Sequence, residues 1–188
     1  MRLVISEFVS ADMVFEDPGG SEGTRYGGWS FDFNSPESME YKGKELMNAD
    51  ALLLGRVTYQ GFAAAWPKMR KTAGEFGEKM NSMPKYVVSS TLNKVDWENS
   101  QFIKGDLAGG IKKLKKQPGK DILVNGSGQL VRFLLDKNLV DKICLMVNPV
   151  VLGEGKLLFG STEKHNLELS AVKELPKGVI VLEYEPKS

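Results

Sequence analysis

Residues 122–130 read Ile122-Leu123-Val124-Asn125-Gly126-Ser127-Gly128-Gln129-Leu130: an apolar run, a glycine turn and the start of an amphipathic pattern. The run predicts a buried strand over 121–124, and the pattern after the turn predicts a helix over 129–137. Glycine lets the backbone approach a ligand closely, and the free N–H groups at a helix start attract phosphate. Val131 stands where the third glycine of a Rossmann fingerprint belongs. Such turns also occur for packing alone, so both interpretations stay open.

Two other apolar runs end in residues that suit a phosphate. A strand predicted over 51–54 leads into Gly55-Arg56-Val57-Thr58, and one over 85–89 leads into Ser90-Thr91. Arginine offers a bidentate fork and the hydroxyls offer donors, although a surface ion pair and a turn cap are the plainer roles. Ligands of open parallel sheets bind outside the carboxyl ends of strands, where all three segments should fall. One diphosphate and one monophosphate site would favour NADPH over NADH.

The remaining patterns predict an α/β protein in which strands alternate with helices. We expect one domain over residues 1–188, a three-layer sandwich whose mostly parallel central sheet ends in a C-terminal antiparallel hairpin. The hairpin strands are predicted over 167–174 and 179–185, and the other elements are strands over 2–9, 101–104 and 142–151 and helices over 35–48, 58–66 and 107–116. The long Gly- and aromatic-rich segment 12–36 is either a functional lid or an ordered surface excursion.

Composition excludes several functional classes. The chain has 188 residues with 25 basic and 24 acidic side chains, so its charge of +1 gives no field for nucleic acid or an anionic membrane surface. One cysteine, Cys144, and one histidine, His165, make neither a zinc site nor a disulfide, and we expect no metal. With no apolar stretch near ~20 residues, no membrane segment is expected. These features together predict a cytoplasmic protein.

These segments resemble the dihydrofolate-reductase-like fold, and within it the reductase domain of the riboflavin-biosynthesis deaminase/reductase and its short standalone relatives. Residues 8–12, Phe-Val-Ser-Ala-Asp, resemble the opening strand of that family and its Ser-Leu-Asp-Gly turn. The most specific match is Leu139-Val140-Asp141 followed by Asn148-Pro149-Val150-Val151-Leu152-Gly153-Glu154-Gly155 and Leu158-Phe159. The resemblance runs over essentially the whole chain.

The resemblance implies an NADPH-dependent reductase that transfers a hydride to a C=N or C=O bond of a small molecule, and it implies a homodimer. The positions that it places at the cofactor are Phe8, Gly55, Arg56, Val57, Thr58, Val88, Ser89, Ser90, Thr91, Gly126, Ser127, Gly128 and Gln129. Asp12, Trp29 and Asn125 would line the substrate cleft, although a turn-capping Asp, a core Trp and a turn Asn are equally compatible with the sequence. No proton donor is indicated.

Departures from the family pattern leave the substrate open. Met13 replaces a turn glycine, and Asn125 stands where the riboflavin reductase carries a substrate-facing Glu. The acids of Ser35–Glu40 would repel the ribose phosphate that the reductase holds with arginines, and Asn34 falls at the dihydrofolate-reductase carboxylate position. A non-catalytic NADP(H)-binding or sensing module is therefore a second hypothesis. A purely structural interaction protein is a third, with only the terminal hairpin in its favour.

Overall fold

A computed structural model describes residues 1–187, which form one eight-stranded sheet flanked by helices. The strands are β1 (Arg2–Ser10), β2 (Ala49–Gly55), β3 (Lys85–Val88), β4 (Ser100–Phe102), β5 (Asp121–Val124), β6 (Lys142–Asn148), β7 (Leu167–Glu174) and β8 (Ile180–Pro186). Their order across the sheet is β4-β3-β2-β5-β1-β6-β8-β7. β1 to β6 run parallel, while β8 is antiparallel to β6 and to β7. The predicted fold class, with its C-terminal hairpin, is confirmed.

Five helices form the outer layers: α1 (Pro36–Met47), α2 (Arg56–Met69), α3 (Gly74–Ser82), α4 (Leu107–Lys115) and α5 (Gly128–Asp136). The first three share one apolar core with the sheet, to which they contribute Leu46, Tyr59 and Met80. Apolar residues of α4 and α5 pack into a second core with alternate residues of β1, β2 and β5. Helices on both faces leave the central strands buried, and this explains their almost continuous Leu, Ile and Val content.

Local sequence explains where the clearest elements begin and end. α1 starts with a capping box, in which the Ser35 hydroxyl accepts from the Ser38 amide and the Ser38 hydroxyl accepts from the Ser35 amide. Pro36 occupies the first helical turn, where its missing N–H costs nothing. All four residues of β5 are buried, as expected for a strand paired on both sides.

Two predicted ends were wrong by three residues, and one helix was missed. α2 continues through Pro67 to Met69, since a proline in the last turn removes only one terminal hydrogen bond. The predicted strand over 142–151 stops at Asn148, just before Pro149, which has no N–H for the ladder. α3 was missed because Gly74 and Gly77 dilute its helical pattern. Gly77 is required there because a Cβ would lie 2.5 Å from the Arg70 carbonyl oxygen.

The strand order places a crevice between β2 and β5. From β2 the chain moves outward through α2 to β3, whereas from β5 it moves through α5 in the opposite direction to β6. Neighbouring strands whose connections diverge in this way leave a gap at their carboxyl ends, which is the usual ligand position in open α/β sheets. None of the helices in residues 1–187 has the length and apolar character needed to span a bilayer.

Candidate functional site

Two glycines bring the ends of β2 and β5 together at this crevice. The Gly55 amide donates to the Gly126 carbonyl oxygen over 3.0 Å. A Cβ on Gly55 would lie 2.4 Å from Ser127 Oγ and 2.7 Å from Ser127 N, and one on Gly126 would lie 2.6 Å from Thr58 Oγ1. Gly126 also has a φ of +101°, which side chains rarely adopt. Both positions therefore require glycine.

The same crevice is lined by two helix N-termini that lack side-chain caps. α2 begins at Arg56 behind Gly55, and α5 begins at Gly128 behind Ser127, and neither capping residue accepts a bond from the first turn. The N–H groups of both first turns, which have no side-chain acceptor, and the positive ends of the two helix dipoles therefore point into the crevice. This arrangement suits an anion larger than a single carboxylate, and a diphosphate has the matching charge and length.

The third predicted segment lies beside the second. Gly55 and Val88 are register partners on the parallel strands β2 and β3, so Arg56 and Ser89 follow side by side. The Arg56 guanidinium is exposed, and within the described part of the chain it donates only to Gln60 Oε1 at 3.0 Å, which leaves donors free for a phosphate. Ser89 Oγ accepts from the amides of Thr91 and Leu92 at 3.1 and 2.9 Å, so it caps a turn. Its own hydroxyl proton is still available to a ligand.

The remaining cofactor positions differ in exposure. Five of them lie just at or after the carboxyl ends of strands or in the first turns of helices. Four of these five are exposed, namely Val57, Ser90, Thr91 and Gln129, and the fifth, Val88, is half-buried. Phe8 is different, since its side chain packs towards α1, where the Lys42 ammonium lies 5.2 Å from the ring centroid. The crevice therefore gathers the residues from β2, β3 and β5, and Phe8 reaches it only through its backbone in β1.

Two of the three predicted substrate residues hold the long loop. Asp12 accepts from the Ser10 hydroxyl at 2.6 Å and from the amides of Leu152 and Gly153 at 3.2 and 2.8 Å. These bonds, that from Ser10 first, lower the pKa of the Asp12 carboxyl. Trp29 is 6% exposed and its indole N–H donates to the Glu16 carbonyl at 2.8 Å.

Asn125 is the substrate candidate that lies at the crevice. It directly follows β5, and its amide donates to the Ser6 carbonyl oxygen at 2.8 Å, so its carbonyl oxygen is the atom left for a ligand. Trp29 instead lines a cavity of about 140 Å³ with Arg25 and Glu154. A larger cavity of about 480 Å³ lies at the opposite, amino-terminal edge of the sheet beside Met1 and Asp121, away from the chemistry described here.

One acid at the crevice was missed in the sequence. Glu7 is 7% exposed in the middle of β1, and its Oε1 has no hydrogen-bond partner among the described residues. Burial raises the pKa of this carboxyl to about 8, although the Lys42 charge opposes the shift. The signal was present, because Glu7 alternates in register with the core residues Leu3, Ile5 and Val9.

Comparison with known proteins agrees with this geometry. The sequence model of the family described as "RibD C-terminal domain" matches residues 2–181. An uncharacterized Bacillus subtilis protein, YyaP, is 34% identical over 142 residues, which cover 74% of this chain and 75% of that protein. A second uncharacterized B. subtilis protein, YwjB, is 27% identical over 134 residues, covering 69% and 70%.

Solved structures show the same fold at low identity. A Shewanella sp. PV-4 protein named for riboflavin biosynthesis superposes with a TM-score of 0.78 at 21% identity, and all of both chains is covered. Dihydrofolate reductase from Enterococcus faecalis, complexed with NADP(H), gives 0.64 at 12% identity, covering 100% of this chain and 97% of that one. With its family match over nearly the whole length and this dihydrofolate-reductase-like fold, the chain belongs to the RibD C-terminal domain family.

Proposed function

We propose that the protein is an NADPH-dependent reductase that transfers a hydride to a C=N or C=O bond of a small heterocyclic or carbonyl substrate. The observation that carries the proposal is the crevice between β2 and β5, where Gly55 and Gly126 let the two strand ends pack so closely that the first turns of α2 and α5 begin side by side. Two uncapped helix N-termini and a free guanidinium supply the positive charge that a phosphorylated dinucleotide needs. Bound there, NADPH would supply the hydride.

Each strand end has a distinct part in holding the cofactor. The amides of the first turns of α2 and α5 would bind the diphosphate, and Thr58 would add a hydroxyl close to Gly126. Arg56 and Ser89, side by side on β2 and β3, would bind the additional phosphate that distinguishes NADPH from NADH. The ring end would then extend past β5 towards β1, the next strand in the sheet.

Cofactor binding can be tested before a substrate is known. We expect NADPH to bind more tightly than NADH when affinity is followed by quenching of tryptophan fluorescence. Arg56→Met should weaken NADPH roughly 10- to 100-fold, the range for a charge-assisted bond of about 1.5–3 kcal/mol, and should leave NADH unchanged. Lys68→Met, which removes an exposed cation from the far end of the same helix, is the matched control. Failure of both dinucleotides to bind would overturn the proposal.

A non-catalytic NADP(H)-binding module is the second candidate, and a specific observation favours it. Asp12 and Trp29 use their polar atoms to fasten the long loop, which leaves fewer side chains for a substrate. The two candidates separate when NADPH consumption is followed across a panel of carbonyl and imine compounds. Tight binding with no consumption by any of them would favour the module over the reductase.

A homodimer and a cytoplasmic location belong to the same proposal. β7 is an edge strand, and its side chains Leu169 and Val172 are 51% and 54% exposed. An unpaired edge with exposed apolar side chains is a ready surface for a second copy. The cytoplasmic location rests on the single cysteine, Cys144, which is buried and free.

A further inference from the structure

Glu7 is a buried acid, and one of its carboxyl oxygens has no hydrogen-bond partner among residues 1–187. It belongs to β1 opposite Leu145 of β6, on the face that packs against α5. Its Oε1 is fully enclosed and accepts no hydrogen bond from the described residues. A buried polar atom without a partner costs free energy, so such atoms persist mainly where a ligand or a reaction uses them.

The position of Glu7 relates it to the cofactor crevice. Its Oε1 lies 3.7 Å from the point that a Cβ on Gly126 would occupy, directly beside the turn between β5 and α5. The sheet order is β3-β2-β5-β1, and neighbouring strands are about 4.8 Å apart, so β1 lies roughly 14 Å from β3. A dinucleotide held by its extra phosphate at β3 and by its diphosphate at β2 and β5 would therefore have its ring end near β1.

Few charges act on this carboxyl. Lys42 reaches it from α1, and its ammonium already binds Ser6 Oγ and Glu45. Asp121 and Lys142 stand at the starts of the neighbouring strands β5 and β6. Arg132 of α5 donates to the carbonyls of Leu157 and Leu158 instead. Glu7 can therefore keep a proton at neutral pH, whereas the hydrogen-bonded Asp12 carboxyl is held ionised.

We propose that Glu7 is the acid of this site, and that its protonated carboxyl supplies the proton that accompanies the hydride. The inference rests on the proposed function. Bound NADPH would supply the hydride to the substrate carbon, and Glu7 would give its proton to the substrate nitrogen or oxygen as that double bond becomes single. Glu7 would be left as a carboxylate next to the oxidised cofactor, and water would return its proton after the products leave.

The charge change of the ring allows a test that needs no substrate. A cationic ring beside Glu7 would stabilise the carboxylate, so NADP⁺ should expel the Glu7 proton on binding, whereas NADPH, whose ring is uncharged, should not. By linkage, the affinity for NADP⁺ should then rise with pH, by up to tenfold per unit, until the free carboxyl itself ionises near pH 8. The phosphate monoester, with a pKa of about 6, occurs in both forms and cancels in their ratio.

The experiment measures both dissociation constants between about pH 6 and 9, together with proton release in weakly buffered solution. We expect the NADP⁺/NADPH ratio of the constants to fall with pH in the wild type and to be flat in Glu7→Gln and in the apolar variant Glu7→Met. Glu22→Gln, which removes a loop acid whose pKa burial also raises, should behave like the wild type.

The outcomes separate this inference from the cofactor proposal. A flat ratio in a wild type that binds both forms would overturn the role of Glu7 alone. The same is true of a pH dependence that persists in Glu7→Gln or disappears in Glu22→Gln. No binding of either dinucleotide would overturn both proposals. Once a substrate is found, Glu7→Gln should lower kcat by about 10²- to 10⁴-fold, the usual contribution of a general acid, and leave the NADPH dissociation constant unchanged.

Discussion

Replacing Glu7 by Gln should stabilise the protein at neutral pH. The replacement keeps a polar side chain of the same shape and removes only the carboxyl that titrates. In the folded protein the carboxyl has a pKa of about 8, whereas in the unfolded chain it should have the ordinary value of 4.5. Between these values the folded state keeps a proton that the unfolded state has released. The free energy of unfolding therefore falls as pH rises from about 4.5 to about 8.

The magnitude follows from the two pKa values. At pH 7 the carboxyl of the unfolded chain is about 2.5 pH units above its pKa and is ionised, while the folded carboxyl is still mostly protonated. Each unit of this difference is worth about 1.36 kcal/mol. The wild type should thus lose about 3 kcal/mol between pH 4.5 and pH 7 through Glu7 alone. The amide of Glu7→Gln does not titrate, so this variant should lose none of it.

The assay is urea unfolding of both proteins at several pH values, with the stability difference plotted against pH. The other groups titrate equally in both and cancel, so the difference isolates Glu7. In thermal melts the gap at pH 7 should reach roughly 6–12 °C, at about 2–4 °C per kcal/mol for a chain of this length. A difference that stays constant from pH 4.5 to 8 would refute the reasoning, because Glu7 would then have an ordinary pKa in the fold.

Three other changes test features of the fold and the site. Gly55→Ala should lower the free energy of unfolding by about 1–3 kcal/mol and weaken NADPH binding at least tenfold, because the added Cβ meets the Ser127 backbone. Gly43→Ala on α1, where a Cβ has open space, should raise the free energy of unfolding by about 0.5–1 kcal/mol in urea unfolding. Lys85→Met should cost about 3 kcal/mol in the same assay, since three buried carbonyls lose the ammonium that donates to them at 2.5–2.9 Å. If the proposed homodimer forms through β7, Val172→Lys should convert it to a monomer with an unchanged melting temperature per chain. Light scattering that shows a monomeric wild type at micromolar concentration would contradict the dimer.

The sequence predicts best where a single local signal decides the structure. The strand over 121–124 was predicted with its observed bounds, because the three apolar residues Ile122, Leu123 and Val124 end in a glycine turn. α1 was equally clear from its cap and proline. α3 could not be predicted, because Gly77 is explained by close packing against the end of α2, which is a tertiary contact, and Gly74 by its positive φ of +56° at the start of the helix. Local patterns therefore fix elements, and tertiary packing decides the exceptions.

The candidate site shows the same division. The glycines and Arg56 could be found from the sequence because strand ends in parallel sheets share an edge. Asp12 accepts hydrogen bonds from the amides of Leu152 and Gly153, about 140 positions away. Its role in joining two loops could therefore not be predicted from the sequence around it. Glu7 was overlooked for a related reason. Its alternation with Leu3, Ile5 and Val9 puts Glu7 on their face of β1, and the structure adds that this face lies in the core next to the crevice.

The central place of β1 has a consequence for biosynthesis. This strand is made first, yet its partners are β5, over Asp121–Val124, and β6, over Lys142–Asn148. At about 5–20 residues per second, the ribosome needs roughly 6–23 s to pass from the end of β1 to the end of β5, which supplies the first of these partners. During this time the apolar segment Leu3-Val4-Ile5 of the nascent chain has no neighbour to pair with and is open to chaperones or to aggregation.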